Sequence, residues 1–339
     1  MLNLLPPLSD RQPKLDGAVV LVTGGTGSFG RAFVRRLLAE HQPAKVIVFS
    51  RDEQKHYAMQ AEIPDARLRF FVGDVRDRDR LMRALGGVDV VVHAAAMKHV
   101  PIAEYNPIEA IRTNIDGAAN LIDAALERRV SRLVALSTDK AVSPVNLYGA
   151  TKLCMEKLFV AANSYAGASG TRFDLVRYGN VVGSKGSVVP LFLEQARQGR
   201  LTVTEPAMTR FWIGMGRAVD LVLLALDEGT GGEVFVPKLP ACTVATLAEA
   251  VAPGAQVDVV GIRPGEKVHE AMITVDEARS VLDCGQYFVI RPQFPAWGER
   301  PRTNGAAVAP SFSYSSDRAE LLGVAQVRAL LADLGLLPA

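Results

Sequence analysis

Cysteine is scarce in this chain, with three among 339 residues, at Cys154, Cys242 and Cys284. None is paired at metal or redox spacing, which argues against a disulfide scaffold and for a reducing, cytosolic setting. Histidine is nearly as sparse, and His93, His99 and His269 show no ligand spacing, so no metal is expected. An excess of charge is missing too. Lys plus Arg is 38 against 36 for Asp plus Glu, a net charge of +2, which gives no electrostatic case for nucleic acid or an anionic membrane. No apolar run approaches the ~18 residues of a membrane span. Met1–Asp16 mixes acidic and basic residues without a continuous apolar stretch, so it reads as a loose arm and not as a secretory signal. Internal repeats and low-complexity tracts are absent. What is there is a globular composition, 49% hydrophobic and 22% charged, which excludes wholesale disorder. The length allows one large domain or two smaller ones.

From Gly17 onward, short β-branched runs alternate with longer amphipathic stretches. The apolar runs cover residues 18–23, 45–50, 68–72, 88–94, 132–137 and 173–178. They are near-continuous, as expected of strands buried on both faces of a parallel sheet. Helical stretches lie between them at 28–41, 53–62, 77–85, 107–129 and 147–166. Strand and helix in alternation predict a doubly wound α/β sheet. Beyond about Asn180, Gly and Pro cluster and the pattern loosens, predicting a smaller lobe built onto the first sheet. Residues 291–313 are predicted as a surface loop and 321–337 as a closing helix.

The first strand runs straight into Gly24-Gly25-Thr26-Gly27-Ser28-Phe29-Gly30 and then into a helix. Glycines at 24, 27 and 30 allow a tight turn and a close backbone approach to a pyrophosphate at a helix N-terminus. The position, at the first strand–helix junction, is the one a dinucleotide site requires. After the second strand comes Ser50-Arg51-Asp52-Glu53-Gln54-Lys55. Arg51 and Lys55 are two cations in reach of a 2′-phosphate, which favours NADP; Asp52 as a helix cap would leave room for NAD. Asp74 and Val75 follow the third strand, placed to touch an adenine ring. Ala94, Ala95 and Ala96 follow the fourth, small enough for backbone to approach the dinucleotide.

The fifth strand ends in Ser137-Thr138-Asp139-Lys140, and Tyr148 and Lys152 follow within Tyr-Gly-Ala-Thr-Lys. Spacing of i, i+4 puts both on one helix face. A free tyrosine, with a pKa near 10, is too weak a base at neutral pH. A close Lys ammonium and a positive nicotinamide ring favour the phenolate. Lowering its pKa by about three units takes roughly 4 kcal/mol, within reach of two close cations. The phenolate then takes a hydroxyl proton while hydride leaves for the cofactor.

The glycine loop with Y-x-x-x-K resembles the extended short-chain dehydrogenase/reductase family. The stretches Thr23-Gly-Gly-Thr-Gly-Ser-Phe-Gly30, His93-Ala-Ala-Ala-Met-Lys-His-Val-Pro101, Glu104-Tyr-Asn-Pro107, Ser137-Thr-Asp-Lys-Ala141, Asn146-Leu-Tyr-Gly-Ala-Thr-Lys152 and Gly261-Ile-Arg-Pro-Gly-Glu-Lys267 narrow it. They resemble the inverting UDP-N-acetylglucosamine 4,6-dehydratases, which start pseudaminic acid synthesis. The similarity runs from about Gly17 to at least Glu270. It departs at Gly214, where that family usually has Thr, and in a longer N-terminal arm.

The resemblance implies a Rossmann-type doubly wound parallel sheet with a smaller C-terminal substrate-binding lobe. The expected divisions are 1–16 (arm), 17–180 (NADP-binding domain), 181–290 (substrate lobe) and 291–339 (loop and helix). Oxidation at C4 of the sugar acidifies the C5 proton, so a base can remove it while an acid protonates the departing 6-hydroxyl. Asp139 reads as the acid and Lys140 as the base, with Thr138 beside them as a catalytic and substrate candidate. A lysine base must be neutral, and burial near other cations is expected to lower its pKa. Lys98 is expected at the sugar nucleotide and cofactor. Asn180 and Val181 are expected near nicotinamide and substrate, and Val189 within 184–190, Arg210, Arg263 and Glu266 around the nucleotide diphosphate. A sugar 4-epimerase or retaining dehydratase shares Tyr148 and Lys152 and stays open, as does a non-catalytic NADP-sensing regulator. The substrate expected is UDP-N-acetylglucosamine or a close UDP-sugar, in a cytoplasmic homo-oligomer, dimer or hexamer.

Overall fold

Runs rich in Val, Ile and Phe form parallel strands because both of their faces can be covered by helices. The computed structural model describes Leu8 and residues 12–183, 188–294, 302 and 304–337. Its strands are β1 (Val19–Thr23), β2 (Lys45–Ser50), β3 (Leu68–Val72), β4 (Val90–His93), β5 (Arg132–Thr138) and β6 (Arg172–Tyr178). Helices α1 (Ser28–Glu40), α2 (Glu53–Glu62), α3 (Arg78–Ala84), α4 (Val100–Tyr105), α5 (Pro107–Ile111), α6 (Gly117–Glu127) and α7 (Leu147–Tyr165) alternate with them. The strand order is β3-β2-β1-β4-β5-β6, all parallel. Succession reverses between β1 and β4, and in such sheets ligands bind in the crevice beyond the strand ends at that point. Val20, Leu21 and Val22 of β1 and Phe33, Val34 and Leu37 of α1 have no exposed surface and anchor the core there.

As far as β6, the predicted strands and helices fall within two residues of the observed ones, with one exception. The stretch 107–129 is not one helix. It passes from α5 through a π-turn, Arg112–Asp116, into α6. The extra residue turns Asn114 inward, where its side chain accepts from Met97 N and donates to Met97 O and Thr151 Oγ1. Just beyond, a Cβ on Gly117 would lie 2.7 Å from Val75 Cγ2. Short α4, which begins beside Pro101, is not among the predicted helices, because six residues carry little periodicity.

The expected boundary at Asn180 does not divide the fold. Val234–Pro237 extends the parallel sheet beyond β6, and Tyr287–Ile290, Val281–Asp283 and Ala306–Ala307 continue it antiparallel. Helix Met215–Glu228 packs on α1, β5 and β6. The separate lobe is therefore small. It holds the sheet Asn180–Val181, Thr209–Ile213 and Ala241–Thr243, and the pair Arg200–Val203 and Gln256–Val259. Helices Val188–Ala196, Val244–Val251 and Val324–Asp333 complete it around their own apolar core. The last of these is the predicted closing helix. The arm is not loose where it is described: Leu8, Pro13 and Leu15 are buried, and Asp16 accepts from Gln42 N. Of the predicted loop 291–313, residues 295–301 and 303 lie outside the described residues.

One clasp ties β6 and α7 to the later segment 271–280. Arg177, at 3% exposure, pairs with Glu156 of α7 at 2.6 Å and with Glu277 at 3.0 Å, and donates to Met272 O. Ser137 of β5 also donates to Glu156. Replacing Arg177 by Met would leave two carboxylates without their cation. Breaking such a buried pair costs about 3–5 kcal/mol. Arg177→Met should therefore unfold at clearly lower urea concentration than wild type, followed by circular dichroism; an unchanged midpoint would remove the clasp from the account of stability.

Candidate active site

β1 ends in a turn that only glycine fits. Gly24 has φ +64°, and a Cβ there would lie 2.8 Å from Ala95 N. At Gly30 it would meet Gly25 Cα at 2.5 Å. Gly27 caps α1 without a side-chain hydrogen bond, so the helix N-terminus faces the crevice with its backbone N–H groups uncovered by a capping side chain. Ala94 and Ala95 line the opposite wall, half-buried, with Ala96 exposed beside them. A dinucleotide fits this cradle: tight turn, small wall and helix N-terminus lie together.

At the end of β2, Thr26 Oγ1 and Ser50 Oγ lie 3.0 Å apart, and Ser50 Oγ also meets His56. Arg51 is mostly exposed, its guanidinium 3.8 Å from Asp74. Lys55 is tied to Asp52, 2.8 Å away, and Asp52 also caps α2. Of the two expected phosphate cations, Arg51 is thus the more available. Asp74 is held by Arg76 through both backbone and guanidinium, and the Val75 side chain is in the core. Only the backbone of Val75 is left for an adenine ring. Ser28 is exposed at the first turn, and Phe29 stacks on Phe33.

The catalytic candidates converge past β5. Asp139 is fully buried; its Oδ1 accepts from Thr138 Oγ1 at 2.9 Å and from Lys140 Nζ at 3.1 Å, and its Oδ2 has no hydrogen-bond partner among the described residues. Lys140 keeps 25% of its side chain exposed and also donates to Asn180 Oδ1. Glu270 Oε1 stands 3.5 Å from its ammonium. These contacts overturn the expected electrostatics. Burial lowers the Lys140 pKa, but Asp139 and Glu270 outweigh it, and the ammonium is held above the ordinary lysine range. The expectation counted neighbouring cations and missed the second carboxylate, which lies 130 residues on.

Tyr148 is corrected likewise. Burial pushes its phenol up to about 12; Lys140 pulls it down, Asp139 pushes it up, and a hydrogen bond with Thr138 pulls it down. The cation acting on the phenol is Lys140 and not Lys152. Lys152 Nζ donates to Leu136 O at 2.6 Å, and burial brings it down to about 8 against the pull of Glu156. His93 is buried, bonded to Thr23, and driven to about 3 by burial and then Lys152.

The motif 261–267 folds over the start of α7, where Asn146 donates to Gly265 O. Arg210 spends its guanidinium on the carbonyls of Thr209, Lys267 and Val268, so it braces this loop. Arg263 is exposed, its backbone N–H bonded to Glu266. Lys98 is exposed beyond β4, and Val181 is half-buried beside Asn180. Val189 is fully buried in the lobe core, so its side chain is not offered to a ligand; residues 184–187 lie outside the described set. Gly214 caps helix Met215–Glu228. Sequence reasoning missed Asn114, which has no local signal, and Glu270, whose signal was its place three residues after Lys267.

A family model described as polysaccharide biosynthesis protein matches residues 20–292. The chain belongs to that family. A relative from Campylobacter jejuni subsp. jejuni serotype O:23/36 (strain 81-176), named UDP-N-acetylglucosamine 4,6-dehydratase (inverting), is 49% identical over 315 residues, covering 89% of this chain and 93% of the relative. The resemblance read from the motifs is borne out by that name. The X-ray structure of Pen from Bacillus thuringiensis has a TM-score of 0.89 at 36% identity, covering 96% of this chain and 100% of that one. DesIV, a dTDP-glucose 4,6-dehydratase from Streptomyces venezuelae with NAD and TYD bound, has a TM-score of 0.65 at 28% identity, covering 74% and 86%. The doubly wound fold is therefore shared. Among the described residues, no helix is long and apolar enough to cross a membrane, and no metal-holding cluster occurs.

The cradle makes a direct prediction. Gly24→Ala should weaken dinucleotide binding on the order of tenfold or more, because its Cβ meets backbone and its φ is positive. Gly87→Ala, also at positive φ but with nothing within 4 Å of its Cβ, should leave affinity unchanged. Calorimetric titration with NADP and with NAD measures both.

Proposed function

We propose that this protein is a UDP-N-acetylglucosamine 4,6-dehydratase that inverts C5, giving a UDP-2-acetamido-2,6-dideoxy-hexos-4-ulose. The observation that carries the reading is the Thr138–Asp139–Lys140 cluster at the end of β5, facing Tyr148. Bound NADP supplies the hydride acceptor at C4 and the hydride returned to C6. Tyr148 takes the C4 hydroxyl proton as a phenolate, the form that the Lys140 ammonium and a cationic nicotinamide ring favour against burial. The resulting ketone acidifies C5, whose proton goes to Lys140.

A charged lysine cannot accept that proton. The 3.1 Å contact with Asp139 provides the way out. Transfer of one proton from Lys140 to Asp139 gives a neutral amine and a neutral acid, which are the base and acid the elimination needs. Water exclusion by a bound sugar favours this neutral pair over the ion pair. Asp139 is sealed from the crevice, whereas Thr138 is half-buried and bonded to it. Thr138 passes its proton to the departing 6-hydroxyl and recovers one from Asp139, so water leaves and the atoms balance. Return of a proton to C5 from the opposite face completes the inversion, and the proton Tyr148 took from the C4 hydroxyl, given up to solvent or to C5, balances it.

NADP is preferred to NAD because Arg51 is exposed beside Ser50 at the end of β2. Lys98, Asn180, Arg263 and Glu266 remain the proposed sugar-nucleotide contacts around the mouth, while Arg210 shapes that wall from behind.

Two measurements test the reading. Arg51→Glu should weaken NADP binding much more than NAD binding; equal losses would reassign Arg51. Lys140→Ala should keep fold and cofactor affinity yet lower water loss from UDP-N-acetylglucosamine on the order of a hundredfold or more. Reduced cofactor and 4-keto sugar should then accumulate in a single turnover, seen by absorbance and mass spectrometry. Wild-type dehydration and C5 deuterium exchange in Lys140→Ala would overturn the base assignment, and an epimerised sugar as the product would favour the 4-epimerase alternative.

A further inference from the structure

Glu270 reaches Lys140 from the other half of the chain. It is 3% exposed, and its two oxygens face different cations: Oε1 lies 3.5 Å from Lys140 Nζ and Oε2 3.5 Å from Lys267 Nζ. Both are ion-pair separations, longer than a formed N–H···O hydrogen bond. Oε2 has no hydrogen-bond partner among the described residues. A carboxylate is costly to bury, and this one is compensated by charge alone.

Its backbone is fixed on both sides. Glu270 N donates to Ser316 Oγ at 2.9 Å, and Ser316 N donates to Glu270 O at 2.8 Å. Buried Ser316 is bonded in turn to Thr209, which also meets His269. Lys267, behind Glu270, donates to Val142 O, two residues beyond Lys140. The groups facing Lys140 are then Asp139 beside it, Tyr148 of α7, Asn180 after β6, Arg210 from Thr209–Ile213, and Glu270. Among them two carboxylates attract the ammonium and one guanidinium repels it.

We propose that Glu270 is a positioning residue: it holds the Lys140 ammonium and thereby sets whether the proton shared with Asp139 rests on nitrogen or on oxygen. The proposal rests on the reading of Asp139 and Lys140 as the proton pair of the dehydration. With the proton on nitrogen, the pair is carboxylate and ammonium; with it on oxygen, acid and amine. Nothing is gained or lost between the two forms. The Glu270 charge favours the first, and Lys267 moderates that preference by drawing on the same carboxylate. Glu270 therefore keeps the pair in its resting form, and the C-terminal segment that carries it takes part in proton control without touching the sugar.

The test reads Lys140 directly. The full-length protein is labelled with a trace of acetic anhydride at one fixed pH near neutrality, and acetylation of the Lys140 peptide is followed by mass spectrometry. Only the neutral amine reacts, so the rate reports the uncharged fraction. Glu270→Gln should label Lys140 about tenfold faster, the effect of about one unit in its pKa. Lys267→Met should label it several-fold more slowly, because Glu270 then answers to Lys140 alone. The rising limb of the pH profile for water loss should move to lower pH in Glu270→Gln and to higher pH in Lys267→Met. Wild-type labelling in both folded variants would overturn the proposal and leave Glu270 as an anchor of its segment. If Glu270→Gln does not fold, Lys267→Met decides alone. Labelling that shifts while the pH profile stays put would uphold Glu270 and sink the base role of Lys140 instead.

Discussion

The ammonium of Lys140 is where two distant parts of the chain meet, and the site depends on how its charge is balanced. It leaves the end of β5 and stands between Asp139, its neighbour in sequence, and Glu270, from the segment that closes over α7. A lone buried ammonium would lose its proton, and a lone buried carboxylate would gain one. Together they stay charged, and each holds the other in place. The clasp of Arg177 with Glu156 and Glu277 works on the same principle, so the earlier and later parts of the chain are joined by charge twice, at β5 and at β6. Apolar packing builds the sheet, but these ion pairs place the groups proposed to react.

Much of this was legible in the residues. Near-continuous Val and Ile runs gave the parallel strands, because such runs suit only strands covered on both faces. Gly24 and Gly30 could be read because their demand is local: a positive φ in one case, and in the other a turn backbone 2.5 Å from the position a Cβ would take. Tyr148 and Lys152 could be placed on one face from helical spacing alone. Each of these inferences uses distances shorter than a dozen residues.

What failed to show in the sequence depends on contacts between remote segments. Glu270 cannot be assigned to Lys140 without the fold, and it is one of the two carboxylates that hold the Lys140 ammonium against burial. The π-turn at Arg112–Asp116 escapes notice because its cause lies elsewhere, in the backbone of Met97 and in Thr151, which Asn114 must reach together. Arg210 looked like a phosphate ligand because guanidinium groups suit phosphate. Its donors are instead committed to three backbone carbonyls. Val189 failed for the plainest reason, since an apolar side chain beside a glycine-rich turn also suits a core.

The division of labour follows the topology. The dinucleotide cradle and the Tyr148–Lys152 pair come from β1, β4 and α7, and all stand on the rigid parallel sheet. The electrostatic setting of the proton pair comes partly from residues 209–210, 267–270 and 316, which belong to the later, less regular half. A fold of this kind can keep hydride chemistry constant while altering proton chemistry through the loops that close on β5. Oxidation at C4 requires only the first set. Elimination and a return of the proton to the opposite face require groups whose proton affinities are tuned against one another. In this chain the carboxylate proposed to exert that tuning, Glu270, is itself buried.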